Sequence, residues 1–287
     1  MPQPSPRLRA VCAVAVAASR AILAVYAQED LGVVQKSDDS PVTHADHAAQ
    51  AVLMAGLPQV GPRLPVLSEE SADPAESLGW SHYWLVDPLD GTREFIQRNG
   101  EFTVNIAEIR DGQTGLCVLA VPAKGVLYGR EGQQVWRWPF TAGGTLGDAV
   151  LLSPQPLRRP WQLALSRRAA QHGGLYPHLV AHVQQHHPDA VCQQAGSAYK
   201  FALMAEGQID VYPRLHPTSE WDTAAGQGLL EGLGGMLVDD QGRPFAYNQR
   251  QTWLNGRFLA LRCAADWVQW EAFWLGLGKD NADFMQK

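Results

Sequence analysis

The stretch LVDPLDGTREF, Leu85 to Phe95, decides how the rest of the chain is read. An apolar run ends on Asp87, Pro88 follows, Asp90 comes three residues after Asp87, and Gly91-Thr92 closes the motif. Pro88 fixes its own φ and offers no N–H, so the backbone between the aspartates is held in a narrow range from which the Leu89 carbonyl can point outward. Two carboxylates and a carbonyl are hard oxygen donors of the kind Mg²⁺ takes beside water and substrate phosphate. Gly91 lets a ligand approach the main chain, Thr92 adds a hydroxyl, and a helix starting here directs its first N–H groups at an anion. The stretch reads as a place to hold Mg²⁺ and phosphate together.

Three other readings of the same residues fail. An aspartyl-phosphate phosphatase of the haloacid-dehalogenase type carries Asp-x-Asp-Gly-Thr, but here two residues, Pro88 and Leu89, separate the acids and the nucleophile loses its partner. No twelve-residue loop with ligands at alternate positions is present, and no glycine-rich loop ends in Lys-Ser or Lys-Thr.

Outward from this point the same design recurs. RLPVLSEES, Arg63 to Ser71, is a short apolar strand that ends on Glu69 and Glu70, and EWDTAAGQGLLEGLGG, Glu220 to Gly235, is a helix with Asp222 in its first turn. Either feature alone is ordinary, since acids favour the positive end of a helix. Thr43 reads as the N-cap of a helix with Asp46 three residues on. Phe102 to Trp138 alternates apolar and polar residues with glycine punctuation, as antiparallel strands do. The proline-rich Leu151 to Pro160 reads as a linker. Beyond it, strands at 161–166 and 209–215 alternate with helices at 175–187 and 197–208, which predicts a layered α/β second half. The expected division is residues 1–152, an α+β half carrying most of the metal ligands, and residues 153–287, an α/β half completing the site.

Composition bounds the function. The chain has 287 residues, 46% hydrophobic and 18% charged, with a net charge of -6, so it lacks the broad basic footprint needed for duplex nucleic acid. A small anion needs only a few local donors. Four scattered cysteines, Cys12, Cys117, Cys192 and Cys263, form no C-x-x-C pair and read as buried thiols in a reducing compartment, hence a cytoplasmic protein. The apolar stretch from Ala10 to Ala27 is interrupted by Arg20 and reads as an amphipathic helix, with no run long enough to span a membrane. His44 with His47, and His182 with His186 and His187, read as surface residues. Trp267, Trp270 and Trp274 stand at helical spacing and read as core or oligomer packing, with peripheral contact at the inner membrane as the alternative.

VLSEES, WLVDPLDGTREFI and WDTAAG, in this order and at these separations, resemble the three signatures of the inositol monophosphatase superfamily, the lithium-sensitive Mg²⁺-dependent phosphatases. DLGVVQKSDDSPVTHAD, EFTVNIA and AEGQIDVYPRLHPTSEWDTAAG bring the chain near the bacterial CysQ-type 3'(2'),5'-bisphosphate nucleotidases. The resemblance runs from about Ala10 to Phe258. It implies a layered αβαβα sandwich and two Mg²⁺ ions, with a third held loosely. Glu69, Asp87 and the Leu89 carbonyl would hold one ion, and Asp87, Asp90 and Asp222 the other. Thr92 and Asp46 would orient the attacking water with help from Glu70, and the backbone of Gly91 and Thr92 would grip the phosphate. Ser197 and Lys200 on one helix and Arg214 on a strand would contact a nucleotide. Where some nucleotidases carry a Ser-His dipeptide near the base, this chain has Ser166-Arg167-Arg168.

The implied activity is hydrolysis of 3'-phosphoadenosine 5'-phosphate to AMP and phosphate, a step that supports sulfate assimilation. The same catalyst acting on inositol monophosphate or a sugar bisphosphate is the near alternative, and a non-catalytic nucleotide or Mg²⁺ sensor is the alternative of another class. Members of the family are often homodimers.

Overall fold

A computed structural model describes residues 2–36, 40–72, 77–156, 160–167 and 174–277. Helices α1 (Pro6–Tyr26) and α2 (His44–Gly56) pack together over one face of a seven-stranded sheet. Ser5 caps α1 through its hydroxyl and Pro6 occupies the first turn, where a missing N–H costs nothing. Between the helices, a segment expected to be polar loop forms a small antiparallel ribbon, β1 (Val34–Gln35) with β2 (Pro41–Val42).

The large sheet follows chain order: β3 (Val66–Ser68), β4 (His82–Asp90), β5 (Thr103–Arg110), β6 (Gln113–Val121), β7 (Val126–Glu131), β8 (Gln134–Pro139) and β9 (Val150–Leu152). β3 lies parallel to β4, and each later pair is antiparallel. Period-two alternation sends Trp84, Val86, Ile106 and Val118 toward α1 and α2, while Tyr83, Leu85, Cys117 and Leu119 face the opposite layer. A five-residue helix, α3 (Thr92–Ile96), leaves the end of β4.

That opposite layer holds α5 (Tyr199–Ala205) and α6 (Glu220–Gly232). Beneath them lies a five-stranded sheet in the order β11 (Val191–Ala195), β10 (Gln162–Ser166), β12 (Val211–Arg214), β16 (Phe258–Leu261), β14 (Met236–Val238). Phe258 and Ala260 of β16 face α6, whereas Leu259 and Leu261 face the last layer, α4 (Tyr176–His186) and α7 (Trp267–Gly276). β13 (Thr218–Ser219) and β15 (Leu254–Asn255) form a short separate pair ahead of α6. The five layers are the αβαβα sandwich expected. α6 is buried nearly all round, and its glycines permit that: a Cβ on Gly226 would lie 2.1 Å from the Phe201 ring, and one on Gly228 2.7 Å from Cys117 Sγ.

Several expectations are corrected. Leu151 and Leu152 belong to β9, so the proline-rich linker starts later, and its residues 157–159 lie outside the described residues. α1 is long and apolar enough by length and composition to cross a bilayer, but half of its most apolar stretch is buried and it packs on α2, β6 and β7, as a core helix does. Cys192 is exposed and Cys263 half-buried, so only Cys12 and Cys117 are core thiols. The His182 ring stacks on Phe273 with centroids 3.9 Å apart, and that of His187 stacks on Trp270, so these two imidazoles pack against α7 rather than facing water. Trp270 and Trp274 are core residues, leaving neither free for a lipid surface.

Candidate active site

β4 runs unbroken to Asp90, but its pairing with β5 slips between Asp87, opposite Asn105, and Asp90, opposite Thr103. Two residues on β4 therefore face one on β5, a bulge in which Pro88 is tolerated because no ladder hydrogen bond is required of it. The Leu89 N–H turns back to donate to Asp87 Oδ1 at 3.0 Å, which fixes the peptide between the acids. Gly91 then adopts φ +93°, a left-handed conformation that glycine takes without cost, and serves as the N-cap of α3. The opening motif is thus a bulge, a side-chain turn and a left-handed cap in sequence.

Two helix starts deliver Asp46 and Asp222 by one device. In α2 the Thr43 N–H and hydroxyl donate to Asp46 Oδ2 at 2.7 and 2.6 Å, and in α6 the Ser219 N–H donates to Asp222 Oδ2 at 2.9 Å. Each acid occupies the third helical position of a capping box, so the helix entry itself orients the carboxylate. Asp46 Oδ1 accepts the Thr92 hydroxyl at 3.1 Å. Thr92 Oγ1 also lies 3.4 Å from the Leu89 carbonyl.

Asp87, Asp90 and Asp222 each offer an oxygen, and these atoms lie within 4.8 Å of one another. Burial first, and then the neighbouring Glu69, Asp90 and Asp222 charges, hold the Asp87 carboxyl well above its ordinary range; Asp222 is raised likewise by burial, Asp90 and Glu69. Asp90 is raised by burial despite the Ala198 N–H that donates to its Oδ2 at 2.5 Å. Carboxylates crowded at this range are incompatible with full ionisation unless a cation enters. The donor set, all oxygen, suits a hard divalent cation such as Mg²⁺.

Glu69 and Glu70 stand on the short turn after β3, and Lys36 from the ribbon donates to both, at 2.9 and 2.6 Å. Glu69 also neighbours Asp87, while Glu70 faces Lys36 and the Asp46 side. Lys36 was not singled out from the sequence. Its partners lie 33 and 34 residues away, and no local pattern marks it.

Glu69, Asp87, Asp90 and Asp222 line a cleft of about 270 Å³ together with Arg167, Ser197, Lys200, Tyr212, Arg214 and Trp221. Ser197 precedes α5 rather than lying on it as expected, at φ +43°. Lys200 is 1% exposed, not a solvated charge; its Nζ donates to the Ala195 and Ser197 carbonyls at 3.0 and 2.7 Å, leaving one of three protons for a ligand. Burial, reinforced by Arg214, lowers its pKa to about 7. Arg214 Nε donates to the His216 carbonyl at 3.3 Å. Arg168 falls outside the described residues. A cleft that combines clustered oxygen acids with the cations Arg167, Lys200 and Arg214 can hold a reacting phosphate and a second anion.

A model of the inositol monophosphatase family matches residues 3–269. The 3'(2'),5'-bisphosphate nucleotidase CysQ of Shigella flexneri is 42% identical over 253 residues, 86% of this chain and 96% of that protein. The same-named protein of Escherichia coli strain K12 is 41% identical over the same shares. Among solved structures, CysQ from Bacteroides thetaiotaomicron, a bacterial member of the inositol monophosphatase family, superposes with a TM-score of 0.73 at 33% identity, covering 88% of this chain and 96% of that one. The suppressor protein suhB from Bartonella henselae shares the fold, with a TM-score of 0.72 at 20% identity over 96% of this chain and 100% of that one.

Proposed function

This chain belongs to the inositol monophosphatase family, and on that premise we propose that its cleft hydrolyses 3'-phosphoadenosine 5'-phosphate to AMP and phosphate. The observation that carries the proposal is the convergence of the Asp87, Asp90 and Asp222 oxygens beside the Thr92–Asp46 hydrogen bond, with Lys200 and Arg214 in the same cleft. The relatives named as bisphosphate nucleotidases support the choice of substrate.

Glu69, Asp87 and the Leu89 carbonyl would hold one Mg²⁺, and Asp87, Asp90 and Asp222 a second, with Glu70 placed to assist a third. When bound, the ions neutralise phosphate oxygens and lower the pKa of water. Thr92 commits its proton to Asp46, so the oxygen lone pairs are left to accept an O–H of the attacking water and aim it. The water oxygen bonds to phosphorus as the water gives up a proton, the bond to the ribose 3'-oxygen breaks, and that oxygen leaves with the electron pair and takes up a proton in exchange. The N–H groups of Gly91 and Thr92 at the start of α3 would grip the phosphate oxygens. No covalent enzyme intermediate is required. Ser197, Lys200 and Arg214 would receive the 5'-phosphate. In this reading residues 1–152 supply most of the acids, and residues 153–287 supply Asp222 and the second anion site, in a cytoplasmic enzyme.

The test is phosphate release from the bisphosphate with Mg²⁺ and with EDTA, and from Asp90→Asn. Turnover that requires Mg²⁺ and is lost in the variant supports the proposal. Robust turnover in EDTA, or inositol phosphate preferred about tenfold in kcat/KM, sinks it.

A further inference from the structure

Glu101 lies between α3 and β5, and its acceptor atoms bind residues at the ends of β10 and β11 in the other sheet. Its Oε2 accepts the Gly196 N–H at 2.8 Å and Arg167 Nε at 2.7 Å, and its Oε1 accepts Arg167 Nη2 at 2.5 Å. Its backbone carbonyl accepts the Ser197 hydroxyl at 2.7 Å. One residue thus ties down the end of β10 and the turn between β11 and α5.

That turn is the piece of backbone on which the cleft depends. Its Ala198 N–H donates to Asp90, and its Ala195 and Ser197 carbonyls hold the Lys200 ammonium. Its geometry is unrelaxed. Ser197 has φ +43°, a left-handed conformation that is unfavourable for a non-glycine residue and persists only where surroundings enforce it. Its neighbours leave no slack: a Cβ on Gly196 would lie 2.4 Å from Glu94 Cγ, and one on Gly91 2.9 Å from Ser197 Cβ and 3.1 Å from the Glu101 carbonyl. An ordinary surface ion pair would do little here. The Glu101 side chain is only 14% exposed, however, and it grips Arg167 with two parallel bonds while accepting a backbone N–H as well. The carboxyl is held below its usual range, chiefly by Arg167 and the Gly196 N–H working against burial.

We propose that Glu101 is a positioning residue for the second anion of the substrate. By clamping Arg167 and the Gly196–Ala198 turn, it sets where the Lys200 and Arg167 cations stand relative to Asp90, and so fixes the span between the reacting phosphate and the second anionic group. The inference rests on the nucleotide reading above, in which that group is the 5'-phosphate. Arg167 spends Nε and Nη2 on Glu101, and in this proposal its Nη1 is the atom that meets the ligand.

The experiment compares the wild-type protein with Glu101→Gln, Arg167→Met and the double variant. Calorimetry in Mg²⁺ buffer gives the affinity for AMP, which in this reading carries the second anion, and for inorganic phosphate, which in this reading is taken by the Mg²⁺-binding acids. The expected result is a fall of about tenfold in the ratio of AMP to phosphate affinity in each single variant, the scale of losing one charged hydrogen bond. The double variant should lose no more than either single, because the two act as a unit. In turnover, KM for the bisphosphate should rise by more than kcat falls.

An unchanged ratio overturns the inference, as does equal weakening of both ligands, which would mark a merely structural ion pair. If Glu101→Gln does not fold, Arg167→Met decides alone, since that side chain is 37% exposed. Failure here is distinct from failure of the nucleotide reading: the wild type releasing no phosphate from the bisphosphate would sink that reading, while the affinity ratio judges the clamp by itself.

Discussion

The Thr92 hydroxyl donates to Asp46 Oδ1 at 3.1 Å, joining the first residue of α3 to the first turn of α2 across 46 residues of sequence. The same Asp46 closes the capping box of α2 through its other oxygen, so the helix that covers the large sheet also holds the hydroxyl that would aim the water. Thr92→Ala is expected to lower kcat by roughly 10²–10³ with little change in KM. Thr92→Ser, which keeps the hydroxyl, should retain most of the rate. Steady-state kinetics on the bisphosphate measure both.

The raised carboxyls of Asp87 and Asp222 make a prediction about stability. A carboxyl whose folded-state pKa is raised contributes stability below its unfolded value, and that contribution is lost as pH rises through the folded value. The chelated protein is therefore most burdened near neutral pH, where the acids are asked to ionise side by side. Saturating Mg²⁺ should raise Tm by about 5 °C at pH 7.5, and the gain should shrink toward pH 5 as protons compete for the same oxygens. In Asp222→Asn the gain should be much smaller. Differential scanning fluorimetry with EDTA and with Mg²⁺ reads all three; a gain that grows in acid would contradict the assignment.

Lys200 gives the cleft its own pH signature. With its pKa lowered to about 7 by burial and Arg214, the free protein loses this cation as pH rises through that value. Binding of AMP should then weaken by up to about tenfold per pH unit above 7, with binding of inorganic phosphate affected less. Lys200→Met should bind AMP more weakly and with a flatter profile. Calorimetry at pH 6.5 and 8.5 distinguishes the two.

The glycines of α6 predict a purely architectural effect. A Cβ on Gly226 would sit 2.1 Å from the Phe201 ring in a layer enclosed by both sheets. Gly226→Ala improves helix propensity yet should destabilise by about 1–3 kcal/mol through overpacking, visible as a lower midpoint in urea.

How much of this was legible in advance depended on how locally each feature is built. The Thr43–Asp46 helix start and the Asp87-to-Thr92 motif are each made by a few consecutive residues, so the sequence announces them, whereas the bulge at Pro88, the left-handed φ of Gly91 and the Ser219–Asp222 capping box emerged only in the structure. The antiparallel strands and the alternating strands and helices of the second half followed from periodicity, whereas the five-layer order came from the family resemblance. Lys36 and Glu101 were missed because their partners stand 33 to 96 residues away and nothing beside them shows which way they face. His182 was misread for a related reason. A helix face of histidines looks wet until the rings of Trp270 and Phe273 arrive from the far end of the chain.

α6 fills the space between the two sheets and carries Asp222 at its tip, so load-sharing in the scaffold and assembly of the reactive centre depend on one element. A slip of one sheet against the other by an ångström would carry Asp222 out of register with Asp87 and Asp90 before any strand came apart. Thermal inactivation should accordingly track loosening of the middle layer, and a chain cut between β9 and β10 should regain turnover only when its two pieces dock around that helix.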